Sequence, residues 1–207
     1  MGVMKKAQKP IVLEYEETTE LKQLKDAGEM HYASGSVEIR KDDITIRSCL
    51  FEKCSIHGTL TESEFTDVTF SHCDLSNLNL NGSLLQRVYF DHCRLTGIHF
   101  NDCSLKDVTF EECEVSWSSF ANAKVRTVSM TSSRFIEAGF TLVDQKNLMT
   151  EHCILNGAEF TGTNMAGMDI SSCETEGILV QAPYIKNLTV NTEQAASFAL
   201  LLGLKVV

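Results

Sequence analysis

From Leu60 to Val190 a large apolar residue falls at nearly every fifth position, a series that opens Leu60, Phe65, Phe70, Leu75, Leu80, Leu85, Phe90, Leu95, Phe100. Two places before it sits a small residue. At 20-residue spacing that small position is Cys73, Cys93, Cys113, Cys153 and Cys173, with Ser133 in the one gap. A helix of period 3.6 cannot keep a five-residue repeat on one face, and a strand of period 2 would turn alternate pentads outward. Each pentad therefore ends in a corner, and four pentads make a square coil of 20 residues. The prediction is a solenoid with the cysteine comb inside it as small hydrophobic filler. Leu80, Phe100, Phe120, Phe140 and Phe160 stack as one inner column; Phe70, Phe90, Phe110, Met130 and Ile170 stack as another. Ladders of this kind bury large areas per residue.

The flanks depart from the register. Val37, Ile39, Ile44 and Ile46 alternate as in strands. The step from Ile56 to Leu60 is one residue short, which predicts an irregular corner near His57. Thr18 to Met30 reads as helical, with Thr18 or Thr19 as N-cap and Gly28 near its end, a short cap over the solenoid. Gln145 and Thr150 put polar groups at inward positions, where an unpaired group is costly, and predict a distorted coil over residues 141–152. At the other end Asn191 is an N-cap with Gln194 three residues on, and Gly203 fits the C′ position of the helix between them. The chain thus divides into an N-terminal cap segment (1–43), the repeat (44–190) and a C-terminal helix and tail (191–207).

Cys73-Asp74-Leu75, Ala158-Glu159-Phe160 and Thr163-Asn164-Met165 follow a motif of small residue, Asp or Asn, then Leu or Phe. In this the chain resembles the pentapeptide-repeat family, and the resemblance implies an all-β fold, the right-handed quadrilateral β-helix. The tail with Phe198, Leu201, Leu202, Leu204 and Val206 looks like the dimerising C-terminus of the quinolone-resistance members. It implies a homodimer joined end to end through those residues. Gram-negative members of that group interrupt their coils with projecting loops, and the register here leaves no room for one. Loop-dependent drug protection is therefore not expected.

The 207 residues carry a formal net charge of −10, which speaks for solubility and against direct binding of nucleic acid. Without an apolar leader or a membrane-length apolar run, the expectation is a cytoplasmic protein with no membrane partner and with reduced cysteines. The coil period also sorts the outer charges onto faces. Asp74, Asp91, Glu111, Glu112, Glu114, Glu151 and Glu174 lie outside the cysteine comb against only Arg94 and Arg134. The preceding face carries Arg87, Lys106, Arg126, Lys146 and Lys186 against Asp67, Asp107 and Asp169.

The same columns carry residue types found in catalytic and metal sites. His72, His92 and His152 recur beside the comb, but Glu112 and Ser132 interrupt them and no third fixed ligand follows. Ser71, His72 and Asp74 are triad residue types spread along one strand, facing different ways. No cofactor, metal or catalytic site is expected. The resemblance implies a non-enzymatic acidic mimic of duplex DNA that binds DNA gyrase or topoisomerase IV and modulates quinolone sensitivity; the alternative is a generic protein-interaction scaffold with no topoisomerase role.

Overall fold

A computed structural model describes residues 6–11, 15, 18–21, 24, 26–201 and 203–206, with the backbone alone at 18, 19, 21 and 201. The described residues form ten parallel strands, a 3-10 turn (Ala182–Tyr184) and one α-helix: β1 (Thr18–Leu21), β2 (Ala27–Gly28), β3 (His31–Arg40), β4 (Thr45–Glu52), β5 (Cys54–Thr59), β6 (Glu64–Ser71), β7 (Leu84–Asp91), β8 (Ser104–Glu111), β9 (Lys124–Thr131), β10 (Asp144–Glu151) and α1 (Thr192–Leu201). From β6 to β10 each strand pairs with the one a full coil later, Val68 with Val88, Val88 with Val108, Val108 with Val128 and Val128 with Leu148. Two further sides of each coil are held by single bridges, such as Asp74 with Arg94 and Asn79 with His99.

The corners fall where the pentads require them. Asp102, Asp107, Glu112, Trp117 and Asn122 have φ of 59°, 54°, 52°, 55° and 57°. The left-handed region turns the chain once per pentad, even though it costs an L-residue roughly 1–2 kcal/mol. Repeated burial of the inward side chains offsets that cost. Phe100, Phe120, Phe140 and Phe160 stack at 5.0, 4.8 and 4.7 Å between ring centroids. Phe70, Phe90 and Phe110 stack beside them at 5.3 and 5.0 Å, and this column runs back through Phe51 to Tyr32. Rings of the two columns meet edge to face, as Phe110 does with Phe120 at 6.2 Å and 88°, the geometry the ring quadrupoles favour.

The comb holds more than filler. Four of its five thiols donate to a carbonyl of the previous coil: Cys73 to Phe51 O (3.3 Å), Cys93 to Phe70 O (3.3 Å), Cys113 to Phe90 O (3.4 Å) and Cys153 to Met130 O (3.3 Å). Ser133 keeps the same bond, to Phe110 O at 3.4 Å. The column selects a small side chain with a donor, which is why serine substitutes there.

Three expectations meet different outcomes. The irregular corner is at Gly58, φ +106°, where the coil separation changes from 19 (Ser55 to Asp74) to 20 (Thr59 to Asn79). Among the described residues of Thr18–Met30 there is no helix; β1 and β2 stand there instead, because β3 and β4 offer open edges, and β1 pairs with β3 and β2 with β4. The distorted coil is absent too. β10 keeps the full register, Gln145 Nε2 donates to Asn164 O at 2.6 Å, and Thr150 Oγ1 donates to Asp169 O at 2.8 Å. Among the described residues no strand follows β10 on that side, so these side chains supply donors to the next coil where the ladder ends.

At the C-terminus the capping box forms as read, with Asn191 N–H donating to Gln194 Oε1 (2.8 Å) and Gln194 N–H to Asn191 Oδ1 (2.9 Å). Gln194 also reaches into the open end of the core, donating to Ile170 O (2.9 Å) and Cys173 O (2.8 Å). Gly203, φ +76°, closes the helix through Gly203 N–H to Leu200 O and Leu204 N–H to Ala199 O, both 2.9 Å, the paired bonds of a Schellman stop.

Candidate functional site

The acids outside the comb straddle a corner. Asp91, Glu111 and Glu151 end their strands, and Glu112 holds the left-handed corner position just after. Asp74, Glu114 and Glu174 lie round the corner on the next side, which is held by single bridges. The group is therefore an edge with one flank.

The edge is partly paired within itself. His92 lies between Asp91 Oδ1 (Nδ1, 2.7 Å) and Glu112 Oε2 (Nε2, 2.8 Å) and stacks on His72 at 4.9 Å. The hydrogen bond to Asp91, joined by the charge of Glu112, raises the His92 pKa above its ordinary value. Burial pushes Asp91 up, but His92 and the Ser71 hydroxyl (3.0 Å) outweigh it and hold the carboxyl below the usual range. Asp74 behaves alike, its burial outweighed by the Ser76 hydroxyl at 2.6 Å and amide at 3.0 Å. Arg134 Nε meets Glu114 at 3.0 Å. Glu151 and Glu174 are exposed. Glu111 accepts from Tyr89 Oη at 2.6 Å, and burial followed by that carboxylate pushes the Tyr89 phenol well above its ordinary value.

On the preceding face both arginines are paired. Arg87 makes a bidentate pair with Asp67, both contacts 2.6 Å, and Arg126 reaches Asp144 at 2.5 Å. The Arg87 guanidinium holds Asp67 below the usual carboxylate range.

Ser71 and His72 do meet, Oγ to Nδ1 at 3.0 Å, against the expectation that they face apart. Asp74 takes no part. The one hydroxyl proton of Ser71 serves Asp91, so His72 donates to the serine, the reverse of a base poised to activate it. Among the described residues no cluster of ligating side chains is placed to hold a metal ion, and no helix is long and apolar enough to cross a membrane.

The tail residues separate into two kinds. Phe198 is buried against the core of its own chain, whereas Leu204 and Val206 are exposed, as is Leu200. Leu202 and the Leu201 side chain lie outside the described residues.

One contact had no signal in the sequence. Residues 6–11 lie along the strand side of the solenoid, with Lys9 Nζ 3.7 Å from Glu111 and 4.4 Å from the Tyr89 ring centroid. Backbone amides of the segment make its other bonds, and no residue pattern announces those.

Corners at every fifth residue and a regular coil define a right-handed quadrilateral β-helix, a scaffold with a largely apolar core and its charged side chains on the outside. A model of the pentapeptide repeat region matches residues 44–116 and 63–140. The chain belongs to the pentapeptide-repeat proteins. Among solved structures it is similar to trypsin-treated QnrB1, a plasmid-mediated fluoroquinolone resistance protein, at 18% identity and TM-score 0.52, over 83% of this chain and 90% of that one. It is also similar to HetL of the cyanobacterium Nostoc sp. strain PCC 7120, a pentapeptide-repeat protein involved in heterocyst differentiation regulation, at 11% identity and TM-score 0.42, over 77% and 87%. No curated protein matches by sequence.

Proposed function

We propose that the chain is a non-enzymatic, cytoplasmic binding protein whose acidic edge engages the DNA-binding surface of DNA gyrase or topoisomerase IV. The spacing of that edge carries the reading. Seven acids span the five coils from Asp74 to Glu174. At ~4.8 Å per coil the six intervals between them cover ~24 Å, a mean of one carboxylate per ~4 Å of axis, near the ~3.4 Å phosphate spacing of one strand of duplex DNA. Arg94 and Arg134 dilute the net density to one charge per ~6 Å, so the edge imitates at most a single backbone.

Exposed Leu200, Leu204 and Val206 at one end of the rod support pairing of two copies there, which would double the length of the charged edge. Phe198, already packed in its own chain, would act by seating the helix.

Supercoiling by purified gyrase, and its quinolone-stimulated DNA cleavage, are the tests. The protein should inhibit the first or alter the second, and Asp91→Asn with Glu111→Gln and Glu151→Gln should weaken the effect at least ten-fold. No response in either assay, or a response indifferent to the triple substitution, refutes the mimic and leaves a scaffold for some other partner.

A further inference from the structure

The strand side of the solenoid has a shallow channel running along the axis. Its floor is the outward residues of successive strands, Thr69, Tyr89, Thr109 and Ser129, and its walls include Asp67 and Asp107 on one side and Glu111 on the other. Residues 6–11 lie in it. Ala7 N–H donates to Ser129 Oγ (3.5 Å), Gln8 N–H to Asp107 Oδ1 (3.3 Å) and Ile11 N–H to Asp67 Oδ1 (3.2 Å), while Lys9 takes Tyr89 and Glu111. From Ala7 to Ile11 an extended chain advances about 14 Å, and the three coil steps from Ser129 back to Thr69 span about the same distance. The segment is therefore extended and runs along the rod. Thr109, which points outward, is only 8% exposed, and Asp67 only 7%, consistent with the cover above them.

The manner of holding identifies what else would fit. The channel reads backbone amides and one lysine, so most side chains of its occupant are free to vary. Pro10, which has no amide to offer, occurs where no amide is read. The hold is also light. The amide bonds are at the long end of the hydrogen-bond range, and the lysine–glutamate pair is exposed by 65% and 37%, a setting in which ion pairs contribute little. We propose that this channel is a docking site for an extended, lysine-bearing segment of a partner protein, and that residues 6–11 occupy it in cis until such a segment displaces them. The cation belongs over Tyr89 against Glu111, and Asp67, Asp107 and Ser129 receive the amides. Tethering keeps the resident segment at high local concentration, so a partner must exceed it in contacts rather than in charge alone. This site shares Glu111 with the acidic edge but lies on a different side from its Asp74 flank, and its occupant is set by the amide acceptors and Tyr89, not by the partner of the edge.

The test uses the full chain and a fluorescein-labelled hexapeptide with the sequence of residues 6–11. Lys9→Glu in the protein sets a carboxylate against Glu111 and the Tyr89 ring and should free the channel without touching the core. The peptide should bind the Lys9→Glu chain at least ten-fold more tightly than the unmodified chain, and adding Glu111→Gln should undo at least five-fold of that gain. A peptide with glutamate at both lysine positions should bind neither. Equal binding to both chains, absence of binding to either, indifference to Glu111→Gln, or binding of the glutamate peptide overturns the proposal.

Discussion

Replacing Gly58 with alanine tests how the solenoid sets its register. A Cβ at Gly58 would stand 2.0 Å from the Ile39 carbonyl oxygen and 3.1 Å from its carbon, and that carbonyl belongs to β3, paired with β5 at Ile39 and Gly58. No side chain can swing aside. At least two ladder bonds must stretch, each contributing about 1 kcal/mol, and φ of +106° adds about 1–3 kcal/mol of strain for an L-residue. Together these predict a loss of about 3–5 kcal/mol, which for a chain of this size lowers Tm by about 6–20 °C. Gly97 and Gly167 are the controls. At Gly97 the added Cβ meets the far end of the Asn77 side chain at 2.5 Å, which can rotate away. At Gly167 it meets nothing within 4 Å, so only the left-handed φ of +80° matters. That cost is partly offset by the narrower unfolded ensemble, leaving a net change of about 1 kcal/mol. Thermal melts followed by circular dichroism should rank Gly58→Ala far below Gly97→Ala, with Gly167→Ala the mildest. A Tm for Gly58→Ala as high as that for Gly167→Ala would refute the slip as a close backbone crossing.

Gln194→Leu removes both bonds that close the core end and one half of the capping box, and should cost about 3 kcal/mol in urea unfolding. Glu193→Ala beside it should stay within about 0.5 kcal/mol. Phe110→Ala empties a site touched by Phe90, Phe100, Phe120 and Phe135 and should cost about 3–5 kcal/mol, read as the urea midpoint at constant slope. The His92 ring should titrate above 6.5 by NMR, and Asp91→Asn should bring it down; a midpoint unmoved by that change would remove the pairing. Because the folded value is raised, the His92 contribution is complete below the unfolded pKa near 6.5 and is lost as pH rises through the folded value. Stability of His92→Gln should therefore fall short of the parent at about pH 5 and converge with it by about pH 9. Leu204→Asp with Val206→Asp should yield a monomer by light scattering if the tail joins two copies; an unchanged mass in a parent dimer would move the interface elsewhere.

What the sequence made legible was whatever repeats. The five-residue register names every inner column from Leu60 onward, and the missing residue before Leu60 points to Gly58 because one deletion in a strict period cannot hide. The capping box at Asn191 and Gln194 was equally plain, since its partners lie three residues apart. Contacts between coils were harder to read. Gln145 and Thr150 looked like defects because their acceptors, Asn164 O and Asp169 O, lie 19 residues away on backbone that carries no sequence mark. Thr18 to Met30 has helical residues, yet open strand edges at β3 and β4 decide its conformation, so tertiary pairing overrides local propensity.

The same distinction governs the surface. Period alone assigns Glu111 to the acidic edge, but it cannot say that Lys9 lies against it, since the segment is held by amides that every residue except proline possesses. With Lys9 in place the middle of the edge is partly neutralised, at Glu111, where its neighbours Asp91 and Glu112 already share His92. Displacing residues 6–11 would restore one negative charge there and uncover Tyr89. Because the channel takes a lysine-bearing segment, exchanging residues 6–11 for a partner's segment keeps Glu111 neutralised, and only the vacant channel restores the full charge of the edge. The two states differ by a single ammonium over Tyr89, so coupling between channel and edge is decided by whether that position is filled.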